Sequence, residues 1–209
     1  DQKGMTAWVI GRYMNVVDLN RDVKITEFFA DKSSLRQWLT YTLDFRRSTL
    51  KVTVSLEMNS PRLDYTVECD WQETAKIGKF IPQLNFYMPV AYACKSYKYD
   101  IPFGIVERQG MHLDVPANSW AAAIPEEQNG KSVVLVTSTK YGFRGVDDSL
   151  AVTLIRSSYD PDPYPENGIH NFRFAVDVAD YVSNAVYVNL AFDYNHPVRF
   201  VSSTVHTGV

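Results

Sequence analysis

Two neighbouring runs of alternating apolar and polar residues constrain the fold of this chain more than any other feature. Residues 49–58 and residues 62–71 both alternate, and the turn-forming sequence Asn-Ser-Pro separates them. Alternation places successive side chains on opposite faces of an extended strand, so the two runs predict a β-hairpin. The core-facing side of its second strand is predicted to consist of Leu63, Tyr65, Val67 and Cys69.

Similar runs recur along the chain with about ten residues between strand starts, a spacing typical of a β-sandwich or a barrel. The further predicted strands are residues 8–16, 23–30, 37–45, 80–87, 90–95, 99–107, 132–139, 151–156 and 171–178. Pro102 lies inside one of them and predicts an edge strand or a bulge there, because proline has no N–H for the ladder. The predicted fold class is therefore all-β.

Residues 180–195 depart from this pattern. Their apolar residues fall close to helical spacing, whereas their Val, Tyr and Phe content favours a strand. Both interpretations stay open, so the all-β prediction allows one short helix near the C-terminus. We see no internal repeat, low-complexity segment or long linker, and we predict that residues 1–209 form a single domain.

Charge and composition give no support for a nucleic-acid or membrane partner and favour a particular location. The net charge of −3 gives no reason to expect nucleic acid or an anionic membrane. The longest apolar runs are far shorter than a membrane span, and no signal peptide opens the chain. Cys69 and Cys94 make no disulfide framework, and no Asn-X-Ser/Thr acceptor occurs, so we predict a cytoplasmic location. The start at Asp1, without a methionine, suggests a fragment of a larger protein.

Motifs for metal binding or catalysis are missing from the sequence. The four histidines have neither His-X-His nor His-Glu-X-X-His spacing, so no metal site is predicted. His170 does lie beside a proline-rich loop, residues 157–168, which contains Pro161, Pro163 and Pro165. No Gly-X-Ser-X-Gly elbow occurs. Within that loop, Asp160 and Asp162 alternate with prolines and could form the carboxylate pair of a glycosidase. Turn formation is the preferred interpretation of both, so no catalytic residue is predicted in this chain.

Aromatic residues are dense between positions 92 and 103: Tyr92, Tyr97, Tyr99 and Phe103. Exposed tyrosines on a β-surface can stack on sugar rings, whereas buried ones form cross-strand core pairs. Both readings stay open.

Six segments, in order, resemble the C-terminal β-domain of the family 38 glycoside hydrolases, the α-mannosidases, and the bacterial branch most of all. They are residues 7–12, 59–64 with 70–73, 101–108, 115–117 with Trp120, 140–142, and 154–157 continuing through the proline-rich loop to 168–172. The resemblance implies a large β-sandwich similar to the galactose-mutarotase-like supersandwich. It also implies an N-terminal catalytic barrel, absent from this chain, as a partner. That barrel is expected to hold the catalytic aspartate and a zinc ion for retaining hydrolysis of terminal α-mannosides, which leaves this chain inactive alone.

The resemblance carries only a few residues over to this sequence. Arg156 matches an arginine at a strand end that approaches the catalytic cleft, and Tyr99 or Tyr97 matches a tyrosine near sugar hydroxyls. These three residues are the predicted substrate-binding set. An ion pair between Arg156 and the barrel is an equal alternative to a substrate contact.

Three functions follow from these observations. An accessory domain of an α-mannosidase predicts a large exposed apolar patch where the barrel docks. An autonomous carbohydrate-binding module predicts a preformed aromatic platform. A mutarotase-like enzyme requires a histidine and a carboxylate that converge in one cleft.

Overall fold

The computed structural model describes residues 13, 15–22, 24–30, 34–76, 78–127, 130–158, 166–180 and 183–202. Within these ranges the chain forms one 3-10 turn (Asn20–Asp22), thirteen strands and one helix. The strands are β1 (Lys24–Phe29), β2 (Arg36–Phe45), β3 (Ser48–Glu57), β4 (Leu63–Trp71), β5 (Gln83–Pro89), β6 (Cys94–Ile101), β7 (Gly104–Arg108), β8 (Val115–Pro116), β9 (Trp120–Pro125), β10 (Lys131–Thr137), β11 (Gly142–Val146), β12 (Ser149–Arg156) and β13 (Gly168–Asp180). The helix α1 spans Asn184–Asn195.

The strands form two antiparallel sheets. A nine-stranded sheet has the order β1-β2-β3-β4-β13-β10-β9-β6-β7, and a four-stranded sheet has the order β5-β12-β11-β8. Buried side chains from both sheets, such as Tyr97, Phe143, Leu150 and Phe174, form one continuous core between them. The predicted β-sandwich is confirmed, because two sheets that bury their apolar faces against each other define that architecture.

The hairpin predicted from alternation is β3 and β4. Val52 is in register with Val67, and Leu50 with Cys69. All four side chains are buried, while Glu68 and Asp70 on the opposite face are exposed. The predicted core face of β4 is confirmed, since its exposure alternates along the strand as the sequence does.

Prediction was wrong where turns interrupt an apolar run. Residues 99–107 are not one strand, because Pro102 and Phe103 form the turn that joins β6 to β7. Proline suits the first central position of a tight turn, and Phe103 adopts a positive φ of 64° at the second. The resulting β7 is a sheet edge, as Pro102 indicated. Residues 90–93 form no strand, because the Val90 N–H bonds to the Asp148 carbonyl instead.

Two central strands escaped prediction because their residues are small. β9 contains three alanines in succession, all fully buried between the two layers that cover its faces. β11 contains Gly145, where an added Cβ would lie 2.3 Å from the Tyr97 ring. Alanine and glycine have low strand propensity, so neither strand is evident from its composition, and at Gly145 the close Tyr97 ring leaves no room for a side chain. Most of the predicted strand at residues 8–16 lies outside the described residues.

Residues 184–195 form a helix, so the strand interpretation of this segment was wrong. Tyr187, Ala191 and Tyr194 share one helical face and are buried against the outer face of the nine-stranded sheet. The Tyr187 ring lies 5.2 Å from the Trp120 ring, and its hydroxyl lies 2.9 Å from Ser132 Oγ. None of the described helices is long and apolar enough to cross a membrane.

Candidate functional site

A small polar cavity lies where β12 ends and β13 begins. Its volume is about 180 Å³, and it is lined by Lys140, Leu154, Ile155, Arg156, Glu166 and His170. Arg156 is the last residue of β12, is half-buried and is in register with Gln83 of β5. The strand end therefore brings Arg156, a predicted substrate-binding residue, into a cavity with two further basic residues and one acidic residue around it.

The charged and titratable side chains of the cavity differ in their surroundings. Burial lowers the pKa of Lys140, while the charge of Glu166 opposes that shift. The Lys140 ammonium lies 4.5 Å from the centroid of the Phe172 ring, which favours a cation over its face. His170 Nε2 lies 2.6 Å from the Glu166 carbonyl oxygen, so this contact is to the backbone of Glu166. A guanidinium and an ammonium in one cavity suit a ligand with hydroxyl or carboxylate oxygens.

A buried ion pair lies on the outer face of the four-stranded sheet. Asp114 Oδ1 accepts a hydrogen bond from Arg144 Nε at 2.9 Å and lies 2.8 Å from Nη2. The side chains are 2% and 7% exposed, respectively. Such a pair is stable only when the remaining polar atoms are also satisfied.

Three further side chains complete the coordination of Asp114. Its Oδ2 accepts hydrogen bonds from Gln83 Nε2 at 2.8 Å and from Thr153 Oγ1 at 3.0 Å. The Tyr13 hydroxyl donates to Oδ1 at 3.1 Å, and the Arg144 guanidinium lies 3.3 Å from the Tyr13 ring centroid. Burial and the negative charge of Asp114 raise the pKa of Tyr13, so its hydroxyl keeps the proton that it donates.

The cavity and this network adjoin through the β5–β12 pair. Residues in register on neighbouring strands point to the same face, so Arg156 lies beside Gln83, which bonds to Asp114. The sequence alone did not identify Asp114, Arg144 or Lys140 as site residues. The available signal was the charge of Arg144 between the apolar Phe143 and a glycine, which is unusual for a short strand.

Tyr97 and Tyr99 lie in the core between the sheets. Each is only 2% exposed, and burial raises the pKa of Tyr99 to about 12. Neither lines the cavity that contains Arg156. Tyr92 is half-buried with its hydroxyl bonded to the Ala123 carbonyl, whereas the Phe103 ring is fully exposed. Tyr97 and Tyr99 are therefore core residues, and their contact with substrate stays a prediction.

Among the described residues, no three His, Cys, Asp or Glu side chains come close enough to hold a metal ion. His112 lies 3.8 Å from Asp147 at an exposed position, and His196 Nδ1 lies 3.0 Å from the Phe192 carbonyl. His206 lies outside the described residues, and so do Asp160 and Asp162, for which turn formation is the preferred interpretation.

Comparison with known families decides the relationship that the six sequence segments suggested. The sequence model of the family described as "Glycosyl hydrolases family 38 C-terminal domain" matches residues 2–164. The chain belongs to this family. Within this glycosyl hydrolase family 38 C-terminal domain, the matched range includes Arg156, Lys140 and the whole network around Asp114.

Individual relatives agree with this assignment. The domain is 25% identical over 132 residues to Alpha-mannosidase G of Dictyostelium discoideum, with 59% of this chain and 11% of the relative covered. It is 24% identical over 137 residues to Alpha-mannosidase 2C1 of Homo sapiens, with 62% and 12% covered. The chain therefore spans about a tenth of the length of these curated relatives.

A solved structure supports the fold. The crystal structure of a family 38 glycosyl hydrolase protein from Enterococcus faecalis superposes with a TM-score of 0.67 and 13% sequence identity. The match covers 84% of this chain and 25% of that one. These relatives come from bacteria and from eukaryotes, so the resemblance to the bacterial branch stays a prediction.

Proposed function

We propose that this domain is the C-terminal part of a zinc-dependent, retaining α-mannosidase and packs on the catalytic domain of the same polypeptide. The family match over residues 2–164 carries the proposal, and the names of the two curated relatives supply the substrate class. The enzyme hydrolyses terminal α-mannosides, and this domain completes the rim of its cleft. A cytoplasmic location remains part of the proposal.

Arg156 is the rim residue that we propose. It stands at a strand end in a cavity with Lys140, and its guanidinium can donate to two oxygens of one ligand. A pair of sugar hydroxyls and a carboxylate of the catalytic domain both fit that chemistry. We place the contact at Arg156 rather than at Tyr97 or Tyr99 because both phenol rings are buried in the core.

The reactive groups lie outside this chain in our proposal. Zinc, where bound, supplies Lewis-acid chemistry in the catalytic domain. The described histidines of this domain bond to backbone carbonyls or lie at the surface and do not converge. The role of this chain is to bind and orient the substrate at the rim of the cleft and to exclude water from it.

The test uses the full-length parent enzyme and an aryl α-mannoside. We expect turnover by the full-length protein, and none by the 209-residue chain assayed at the same concentration. A parent that lacks residues 1–209 should lose most activity, and the separately expressed chain should restore part of it. Turnover by the chain alone would contradict the proposal, and so would a full-length parent that does not hydrolyse α-mannosides.

A mutarotase-like activity is the second candidate, because His170 and Glu166 line the same cavity. A histidine and an acidic residue thus share a cleft, although the contact between them is from the His170 ring to the Glu166 backbone carbonyl. Polarimetry on fresh α-D-galactose or α-D-glucose tests it. Faster mutarotation with the chain than with a His170→Ala variant would favour this candidate, and equal rates would remove it.

An autonomous carbohydrate-binding module receives less support from the described surface. Tyr97 and Tyr99 are buried, so neither ring face is available for stacking on a sugar. Calorimetry of the chain with mannose and mannobiosides should therefore give no binding heat. A binding heat that fits a dissociation constant below about 1 mM would instead support this function.

A further inference from the structure

The nine-stranded sheet extends well beyond the four-stranded sheet that covers it. β5 is the edge strand of the smaller sheet on this side, and its Phe86 ring lies 5.1 Å from Tyr65 of β4 and 4.6 Å from Phe174 of β13. β3, β2 and β1 follow β4 in the larger sheet. These three strands therefore lie beyond the part of the larger sheet that Phe86 of β5 contacts.

Strand register shows which side chains of these strands point to the core side. Phe28 is in register with Leu39, Leu39 with Val54, and Val54 with the core residue Tyr65. Residues in register share a face, so Phe28 points to the same side as Tyr65. By the same argument Ile25 follows Tyr41 and Val52 on this side.

Burial divides this core-side surface into two halves. Near the turn between β2 and β3, Leu43 and Leu50 are 5% and 8% exposed. Five large apolar side chains on the edge strand β1, or at and beside the other end of β2 and β3, are 40–74% exposed: Ile25, Phe28, Leu35, Leu56 and Met58. We call these five residues the wing patch. Tyr41 and Val54 connect the wing patch with the core, since both are partly buried and pack against the core.

We propose that the wing patch is the surface by which this domain docks on the catalytic domain of the same polypeptide. The inference rests on the proposed function and names the face that it uses. Exposed apolar side chains grouped on one face of a sheet mark an interaction site. Because the curated relatives are about eight to nine times as long as the matched segment, most of such a polypeptide is available to cover the patch.

The two faces of β1 favour this occupant over a second copy of the chain. Lys24 and Glu27 are in register with Thr42 and Thr40 on the outer face, and charged residues on an edge strand oppose edge-to-edge pairing of identical sheets. Phe29 on the outer face already stacks on Trp38, with ring centroids 6.2 Å apart. The core-side face of β1 is apolar, and docking there would extend the existing core.

Cysteine labelling in the full-length parent tests the surface. Phe28→Cys places a thiol on the wing patch, and Lys24→Cys places a matched thiol on the opposite face of the same strand. The native thiols of this chain give a low background, because burial raises the pKa of Cys69 and of Cys94 to about 11. Peptide mapping by mass spectrometry separates all labelled sites.

We expect Phe28→Cys to react with a maleimide at least about tenfold more slowly than Lys24→Cys in the full-length parent, equivalent to about 1.4 kcal/mol of protection. In the 209-residue chain the two thiols should react at similar rates. Equal rates in the full-length parent would overturn the proposal. Protection in the isolated chain that rises with its concentration would assign the patch to a second copy and would also overturn it.

Turnover measured on the same preparations separates this inference from the proposed function. An active parent in which Phe28→Cys is unprotected disproves the docking surface only. A protected Phe28→Cys in a parent without α-mannosidase activity supports the docking surface and disproves the activity.

Discussion

Asp114→Ala should be among the most damaging substitutions in this domain, although Asp114 lies outside regular structure. The carboxylate is 2% exposed and is the counter-ion of Arg144, whose side chain is 7% exposed. Removing one partner of a buried ion pair costs about 3–5 kcal/mol, because the other charge is left in the interior. Gln83 and Thr153 also lose an acceptor, but they still bond to each other at 2.8 Å. We therefore expect a loss of about 4 kcal/mol in the free energy of unfolding.

Urea unfolding of the 209-residue chain measures this loss, with linear extrapolation to water. Asp180→Ala is the matched control, because Asp180 pairs with Lys131 at 3.6 Å with both side chains more than two-thirds exposed. That change should cost less than about 1 kcal/mol. The double variant Asp114→Leu with Arg144→Met should be more stable than Asp114→Ala, since neither charge is then buried alone. A cost for Asp114→Ala no greater than that for Asp180→Ala would refute the reasoning.

Three further predictions concern packing, a buried hydrogen bond and pH. Gly145→Ala should lower the free energy of unfolding by about 1–3 kcal/mol or more, because its Cβ would lie 2.3 Å from the Tyr97 ring and overpack the core. Gly104→Ala is the control in the same urea assay and should be nearly neutral, since the nearest atom to its Cβ lies at 4.0 Å. Tyr187→Phe should cost about 1–2 kcal/mol by removing the bond to Ser132, and thermal unfolding with Ser132→Ala as a second change should show non-additivity. Burial raises the pKa of Asp177, so the stability that its protonated form contributes is lost as pH rises through that pKa. Asp177→Asn should therefore gain stability relative to the unchanged chain as pH rises above about 4, the ordinary pKa of an aspartate, and a pH-independent difference would contradict this.

Alternation predicted the parts of the fold in which one face of a strand is buried and the other is wet. β4 is such a strand, and its predicted core face is the observed one. β9 is covered on both faces, so its alanines carry no alternation, and β11 depends on a glycine that admits the Tyr97 ring. The helix was ambiguous because Tyr187 and Tyr194 suit a strand by composition and are buried on one helical face by spacing.

The candidate site could be predicted only where one residue marks it. Arg156 ends a strand of mostly apolar residues, and a charged residue in that position is the only signal of the cavity in the sequence. The network beside it joins Tyr13, Gln83, Asp114, Arg144 and Thr153. These residues are far apart in sequence. The antiparallel pairing of β5, β11 and β12 brings Gln83, Arg144 and Thr153 together, and Tyr13 and Asp114 join them from outside the strands. A single sequence contains no record of such long-range contacts.

Turnover by Arg156→Ala in the full-length parent tests the central claim most directly. A hydrogen bond to a charged group contributes about 1.5–3 kcal/mol, so we predict that kcat/KM for an aryl α-mannoside falls about 10- to 150-fold. Arg156→Lys should recover part of the loss, and Arg46→Ala, at an exposed arginine, should leave turnover unchanged. The melting temperature of each variant must match that of the unchanged enzyme. Unchanged turnover by a folded Arg156→Ala enzyme would contradict the assignment of this cavity to the rim of the active site.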